Sequence, residues 1–393
     1  MKYLVLFAAV LLTGGCSLFS GDNAAPPSPL TQFETTLKVR HVWQRDTSTG
    51  TQGLYYQLKP YLSDGVIYVA SLDGDIKAYD AKNGDQVWAV KTGDRITGGL
   101  KGGDGLLIYG TGRGQAVAIR AKNGEELWRT QMSSIVMSMS DVHLGTVVVR
   151  SMDGKIAGLS SGSGEILWVG GRKTPALSLF GMSSPHVQGN TVIAGFDNGK
   201  LLAFTLDTGR VLWETTIATP QGRNEISRIV DIDGNIDIRD GVAYVATYQG
   251  RVGAVNISDG KLLWSRAMSS YQGLTVGEHN IYLSDADSDV WALDRNTGAS
   301  LWKQTKLKYR EITAPALSGD YIVVADYNGY VHWLSKYDGH LVARDQVGES
   351  SILDTPLAVG DMVYFYNEWG WLTAVQRVGS VPPSRPLPGF LSS

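Results

Sequence analysis

The stretch DGDIKAYDAKNGDQVW, residues 73–88, decides the fold because the chain repeats it. It returns as RGQAVAIRAKNGEELW (113–128), DGKIAGLSSGSGEILW (153–168), NGKLLAFTLDTGRVLW (198–213) and QGRVGAVNISDGKLLW (249–264). Two further copies, DSDVWALDRNTGASLW (287–302) and NGYVHWLSKYDGHLVA (328–343), precede a truncated one, EWGWLTAV (368–375). The aligned tryptophans step by 40, 40, 45, 51 and 38 residues, and 41 more lead to Ala343. A separate Trp43 lies 45 residues before Trp88 without the first half of the phrase.

Each part of the phrase has a physical meaning. Asp-Gly or Asn-Gly supplies the positive φ of a hairpin turn. The residues after it alternate apolar and polar, the period of a half-buried strand. A second turn follows, at Asn83-Gly84 or Thr297-Gly298 for example, and a strand ending in Trp closes the unit. Upstream sits another strand after a turn, as in Asp64-Gly65-Val66-Ile67-Tyr68-Val69. Before that comes a short segment, often with proline (Pro60, Pro185, Pro315, Pro356), suited to a first strand with an unpaired edge.

Four antiparallel strands every ~40–45 residues is the spacing of a propeller blade. Eight copies predict an all-β, eight-bladed β-propeller over residues 37–378. Trp43 then belongs to the outermost strand of the last blade, supplied by the N-terminus, so that the ring closes without an open edge. The repeated indole is first a packing element, since each buries ~150–250 Å².

Composition agrees. Lys+Arg 35 against Asp+Glu 38 leaves −3, too little positive charge for a protein that holds nucleic-acid backbones. Apolar residues at 43% suffice for a large core, and 47 glycines fit many tight turns. One cysteine excludes an intramolecular disulfide and a cysteine-based metal cage. The six histidines are scattered without ligand spacing, and His332, alternating within a strand, reads as a packed ring. Gly110-Thr111-Gly112-Arg113-Gly114 lacks the Lys-Ser/Thr of a phosphate loop and reads as a hairpin turn. Asp285, Asp287 and Asp289 read as a solvated turn. No metal, cofactor or catalytic residue is expected.

The N-terminus is an address. Lys2, an apolar run to Leu12 and the small residues Thr13-Gly14-Gly15 form a signal peptide over 1–15. Cys16 follows in a context that resembles the lipobox of bacterial lipoproteins, with Thr13 where that motif carries Leu. The resemblance implies lipidation of Cys16, and Ser17 implies sorting to the outer membrane. Residues 16–36 read as a flexible tether and 379–393, with four prolines, as a disordered tail.

The phrase A-x-D-x-x-x-G-x-x-x-W, clearest from Ala78 to Trp88 and from Ala292 to Trp302, resembles the quinoprotein-dehydrogenase propeller repeat. Two families carry it: quinone-dependent dehydrogenases, and the BamB lipoproteins of the outer-membrane β-barrel assembly machine. The quinone enzymes place two adjacent cysteines beside the cofactor, and the single Cys16 does not allow that. Chain length, the lipobox-like start, Pro175-Ala176-Leu177-Ser178-Leu179 and the segment from Glu225 to Asp233 are similar to BamB.

That resemblance implies a non-enzymatic scaffold, lipid-anchored at the periplasmic face of the outer membrane. Its implied partners are the periplasmic region of BamA, other members of the machine and unfolded outer-membrane clients. Extra residues at 172–184 and 218–239 mark two long loops, where binding functions concentrate. The resemblance assigns BamA contacts to Leu177, Leu179, Phe180, Asp231 and Asp233, all expected on exposed loops. Phe180 stands where the family has Arg, so an apolar contact replaces an ionic one. Leu177 and Leu179, two residues apart, also fit one face of a buried strand. An oxidoreductase on the same fold and an envelope propeller with an unrelated partner are the alternatives.

Overall fold

The hairpin turns form as their composition dictates. Asp64 and Gly65 have φ of 50° and 76°, Asp104 and Gly105 of 52° and 77°, and Asp240 and Gly241 of 51° and 74°. Two consecutive positive φ values give the turn whose twist matches the flanking strands. At the turn between strands 3 and 4 of the first blade the Asp80 carboxylate accepts the amides of Lys82 and Asn83 at 2.9 and 3.1 Å. Gly84 follows with φ of 73°.

The computed structural model describes residues 25–56, 58–171, 183–220, 230–232 and 234–380. Residues 1–24, with the signal peptide and Cys16 anchor expected there, and residues 381–393 lie outside them. Among the described residues there are thirty-two strands in eight four-stranded antiparallel sheets, and no helix long and apolar enough to cross a membrane. Blade 1 is Tyr61–Ser63, Val66–Ala70, Asp75–Asp80 and Gln86–Lys91. Blades 2 to 7 repeat that order over 96–131, 136–171, 186–216, 237–267, 274–304 and 316–346. Pro60, Pro185, Pro315 and Pro356 stand immediately before their first strands, where no ladder amide is required.

Blade 8 is the splice. Leu357–Val359, Met362–Tyr366 and Trp371–Ser380 come from the C-terminus, and Leu37–Asp46 from the N-terminus forms the outer strand. Leu37 pairs with Ser380, Trp43 with Ala374 and Asp46 with Trp371. The ring is thus closed by the N-terminal strand.

Each outer-strand tryptophan reaches across to the next blade. Trp43 Nε1 donates to the Ala81 carbonyl at 3.1 Å. Trp88, Trp128, Trp168, Trp213, Trp264 and Trp302 donate to Ala121, Ser161, Leu206, Ile257, Arg295 and Lys336 at 2.6–3.1 Å. The indole lies on the turn glycine: a Cβ at Gly84 would stand 2.6 Å from Trp43, and one at Gly209 2.4 Å from Trp168. Glycine is therefore required twice, for positive φ and for close approach. The eighth junction carries Ala343 because blade 8 has no such turn; its third and fourth strands belong to opposite ends of the chain. There Leu37, Ala343, Trp333 and Phe365 pack in one apolar cluster.

The tether expected over 16–36 is shorter than that range, because residues 28–36 are docked. The Ser28 amide donates to the Lys308 carbonyl at 2.9 Å and the Thr36 amide to Val342 at 3.0 Å. Arg310 donates to the Ser28 carbonyl at 3.1 Å, Arg344 to Thr31 at 3.0 Å, and Phe33 lies 5.0 Å from the Arg344 guanidinium. Both arginines are held from beneath. Arg310 and the Nε2 of fully buried His332 bind Asp326 at 2.7 and 3.1 Å, and Arg344 donates to His332 Nδ1 at 3.3 Å.

Deleting residues through Asp46 should cost far more stability than deleting those after Ser380. The first cut removes the outer strand of blade 8, the Trp43 contact and the docked segment together. Melting curves of the two truncations check this; equal midpoints would refute closure by the N-terminal strand.

Candidate functional site

In an antiparallel four-stranded blade, the turn between strands 2 and 3 and the link to the next blade lie on the same face of the ring. Both long insertions are such links, from blade 3 to 4 and from blade 4 to 5. They therefore leave the same face from neighbouring positions. Leu177, Leu179, Phe180 and Asp233 fall outside the described residues, and the roots of both insertions fall within them.

The first root is tied down by a buried ion pair. Arg150 meets Asp197 at 2.5 Å, with the side chains 3% and 10% exposed. The Ser183 carbonyl accepts from Ser138 Oγ at 3.2 Å and from Arg150 at 3.5 Å. Blades 3 and 4 thus grip the end of the insertion between them. Sequence reasoning missed Arg150 and Asp197, since nothing local distinguishes them from surface charges.

The second root is core. Val230, Asp231 and Ile232 are 3%, 0% and 0% exposed. Ile232 packs with Ile193, Leu201, Ile217 and Val245 between blades 4 and 5. Gly195 makes room for it: a Cβ there would stand 2.5 Å from Ile232. The Tyr248 amide donates to the Asp231 carbonyl at 3.0 Å. Asp231 is therefore buried, contrary to the exposed loop expected from its place in an insertion. The apolar residues flanking it enter the junction between blades and draw it in.

The other polar motifs resolve as structure. Gly110 to Gly114 spans the hairpin between Leu106–Thr111 and Gln115–Arg120. The Asp285 carboxylate accepts the amides of Asp287 and Asp289 at 3.0 and 2.9 Å and the Trp291 indole at 2.7 Å. Asp289 pairs with Lys303 at 2.6 Å and Asp287 with Lys308 at 3.4 Å, so each carboxylate has a partner. Among the described residues no group of three or more His, Cys, Asp or Glu is placed to hold a metal.

The first strands line a central channel, and a cavity of about 300 Å³ within it is bordered by Lys59, Lys101, Ser138, His186, Asn235 and Asp237. Burial holds the Lys59 ammonium below its usual pKa, partly opposed by Asp354. Burial pushes Asp354 up to about 6 against the pull of Lys59. His186 is pushed down to about 4 by burial, with Lys101 and Lys59 adding to the effect and Asp141 opposing it. These are mixed charges spread around the channel, with no nucleophile–base pair among them.

A family model described as outer membrane protein assembly factor BamB matches residues 72–304. The chain is 37% identical to the protein of that name from Pseudomonas aeruginosa, over 95% of this chain and 98% of that one. It is 31% identical to the one from Yersinia pestis, again over 95% and 98%. The chain belongs to the BamB family. The crystal structure of BamB from Moraxella catarrhalis superposes with a TM-score of 0.79 at 27% identity, covering 86% of this chain and all of that one. A europium-containing methanol dehydrogenase, at 12% identity and TM-score 0.74, shares the fold alone. BamB relatives carry the name of an assembly factor and not of an oxidoreductase.

The channel groups give the protein a pH-dependent stability. His186 stays neutral when folded down to about pH 4 but protonates near 6.5 when unfolded. The unfolded state then binds more protons, so stability falls as pH drops through that window, by on the order of 2–3 kcal/mol near pH 4. Asp354 acts with the opposite sign, adding stability in acid that is lost as pH rises through about 6. His186→Gln should reduce the acid loss and Asp354→Asn the loss towards neutral pH. Denaturant titrations from pH 4 to 7 test both, and unchanged pH slopes in the two variants would refute the assignment.

Proposed function

We propose that the protein is a non-enzymatic scaffold lipoprotein of the outer-membrane protein assembly machinery, held by lipidated Cys16 at the periplasmic face of the outer membrane. Its two inserted links bind the periplasmic region of BamA. The observation that carries this reading is the placing of both insertions on one face, rooted in adjacent blades and braced by Arg150–Asp197 and by Ile232. A rigid ring with two neighbouring loops suits the positioning of a partner better than chemistry. Leu177, Leu179, Phe180 and Asp233 are proposed as the contacts. Asp231, fully buried, is proposed as the residue that positions the second loop.

Cys16→Ser should release the protein from the membrane fraction with its melting curve unchanged. The docked residues 28–36 begin beyond the altered position. Mass spectrometry of the mature N-terminus decides the anchor: a cleaved chain with an unmodified Cys16 would refute it.

The two aspartates should separate. Asp231→Lys forces an ammonium into a buried site and should destabilise the fold by roughly 2–4 kcal/mol. Asp233→Lys should leave the melting point near wild type and weaken binding to purified BamA periplasmic region about tenfold or more, in a salt-dependent way. Leu177→Ala with Leu179→Ala should weaken binding with less salt dependence. Wild-type binding by the Asp233 variant would remove that contact. A collapsed melting point in the Leu pair would make them core residues.

A further inference from the structure

The eighth copy of the repeat departs from the others at one turn. Where earlier copies place Asp73 and Asp75, or Asn198 and Lys200, it places Trp369 and Trp371. Neither ring is a blade latch. Trp369 is 55% exposed and Trp371 41%, whereas Trp128 and Trp168 in the latch positions are 8% and 7% exposed. The turn is firmly built beneath them, since the Asn367 carboxamide oxygen accepts the amides of Trp369 and Trp371 at 3.1 and 2.8 Å. Held on a rigid turn, the two indoles border a groove of about 470 Å³ whose other walls include Gln44, Gly348 and Glu349.

The charged side chain bordering this groove is a carboxylate, Glu349. Glu349 is exposed within it, and the carboxylate of Glu368, next to Trp369, accepts a hydrogen bond from the Ser351 amide at 3.3 Å. Among the described residues neither carboxylate has a Lys or Arg within ion-pair distance, and neither does exposed Glu311. Tyr55, 66% exposed, sits close enough to Glu311 and Glu368 that both add to the burial that raises its phenol pKa. Exposed indole faces with unneutralised carboxylates beside them repel anions and attract organic cations, through the ring quadrupole and through charge. An anionic lipid surface is the wrong partner for such a patch, and a basic protein segment the right one.

We propose that the groove bordered by Trp369, Trp371 and Glu349 docks an Arg- or Lys-bearing segment of a partner protein, its cationic side chain stacked on an indole and paired with Glu349. The site is separate from the inserted links, which leave the ring at blades 3 to 5 while this groove lies at the junction of blades 7 and 8. It stands whether or not the links bind BamA.

The test titrates a capped tetra-arginine peptide into the full mature chain by calorimetry. Wild type should bind it, binding should weaken as salt is raised, and tetraglutamate should not bind. Trp369→Ala with Glu349→Gln should weaken tetra-arginine binding roughly tenfold or more. Asp259→Asn, an exposed carboxylate on a turn of the opposite face, should leave it unchanged. Glu349→Arg alone, on an exposed loop, provides a second variant should the double change unfold, and should abolish binding. Absence of wild-type binding, equal binding by wild type and the groove variants, or uptake onto phosphatidylglycerol vesicles that is lost in the double variant would each overturn the proposal.

Discussion

A hydrogen bond from the indole of one blade to a turn carbonyl of the next is the contact on which the ring depends. Sheets packed face to face around an axis are held by apolar contacts that tolerate sliding. A donor with one direction, seated on a glycine that allows no side chain beneath it, fixes the angle between neighbours. Seven junctions use this device. Each such bond contributes only ~1 kcal/mol net, but the burial of the ring adds to it and a misplaced blade would lose both.

The eighth junction follows from where the chain begins and ends. Joining the outer strand of blade 8 from the other terminus removes the turn that a tryptophan would cover. Ala343 is thus a consequence of topology and not a lapse of the repeat. The same splice brings the N-terminal segment against blade 7, where two arginines supported by buried Asp326 and His332 hold its backbone. Closure of the ring and docking of that segment are one structural event.

The ring is repetitive, and what is specific to this protein lies where the repetition fails. The longer links at blades 3 to 5, the mixed charges in the channel and the two exposed indoles of blade 8 are all departures from the common phrase. None of them is needed for closure. A scaffold with redundant junctions can carry such departures because each blade contacts only its neighbours.

The fold was legible in the sequence because a propeller is a local code. Turn glycines, alternating strands and a tryptophan at a fixed offset lie within sixteen residues of one another, and their repetition counts the blades. Even the splice was readable, since Trp43 carries half a phrase with no first half. The candidate site was only partly legible. Spacing located the two insertions, but which of their residues turn inward depends on contacts across blades. Asp231 is drawn in beside Ile232, whose partners, such as Ile193, Leu201 and Val245, come from the strands of the two blades on either side. Arg150 and Asp197 meet across 47 residues, and no local pattern pairs them. Trp369 and Trp371 face solvent because they sit on a turn where the first copy carries Asp73 and Asp75. Only the tertiary structure decides that they border a groove with Glu349 and Gln44, which reach it from the link out of blade 7 and from the N-terminal strand.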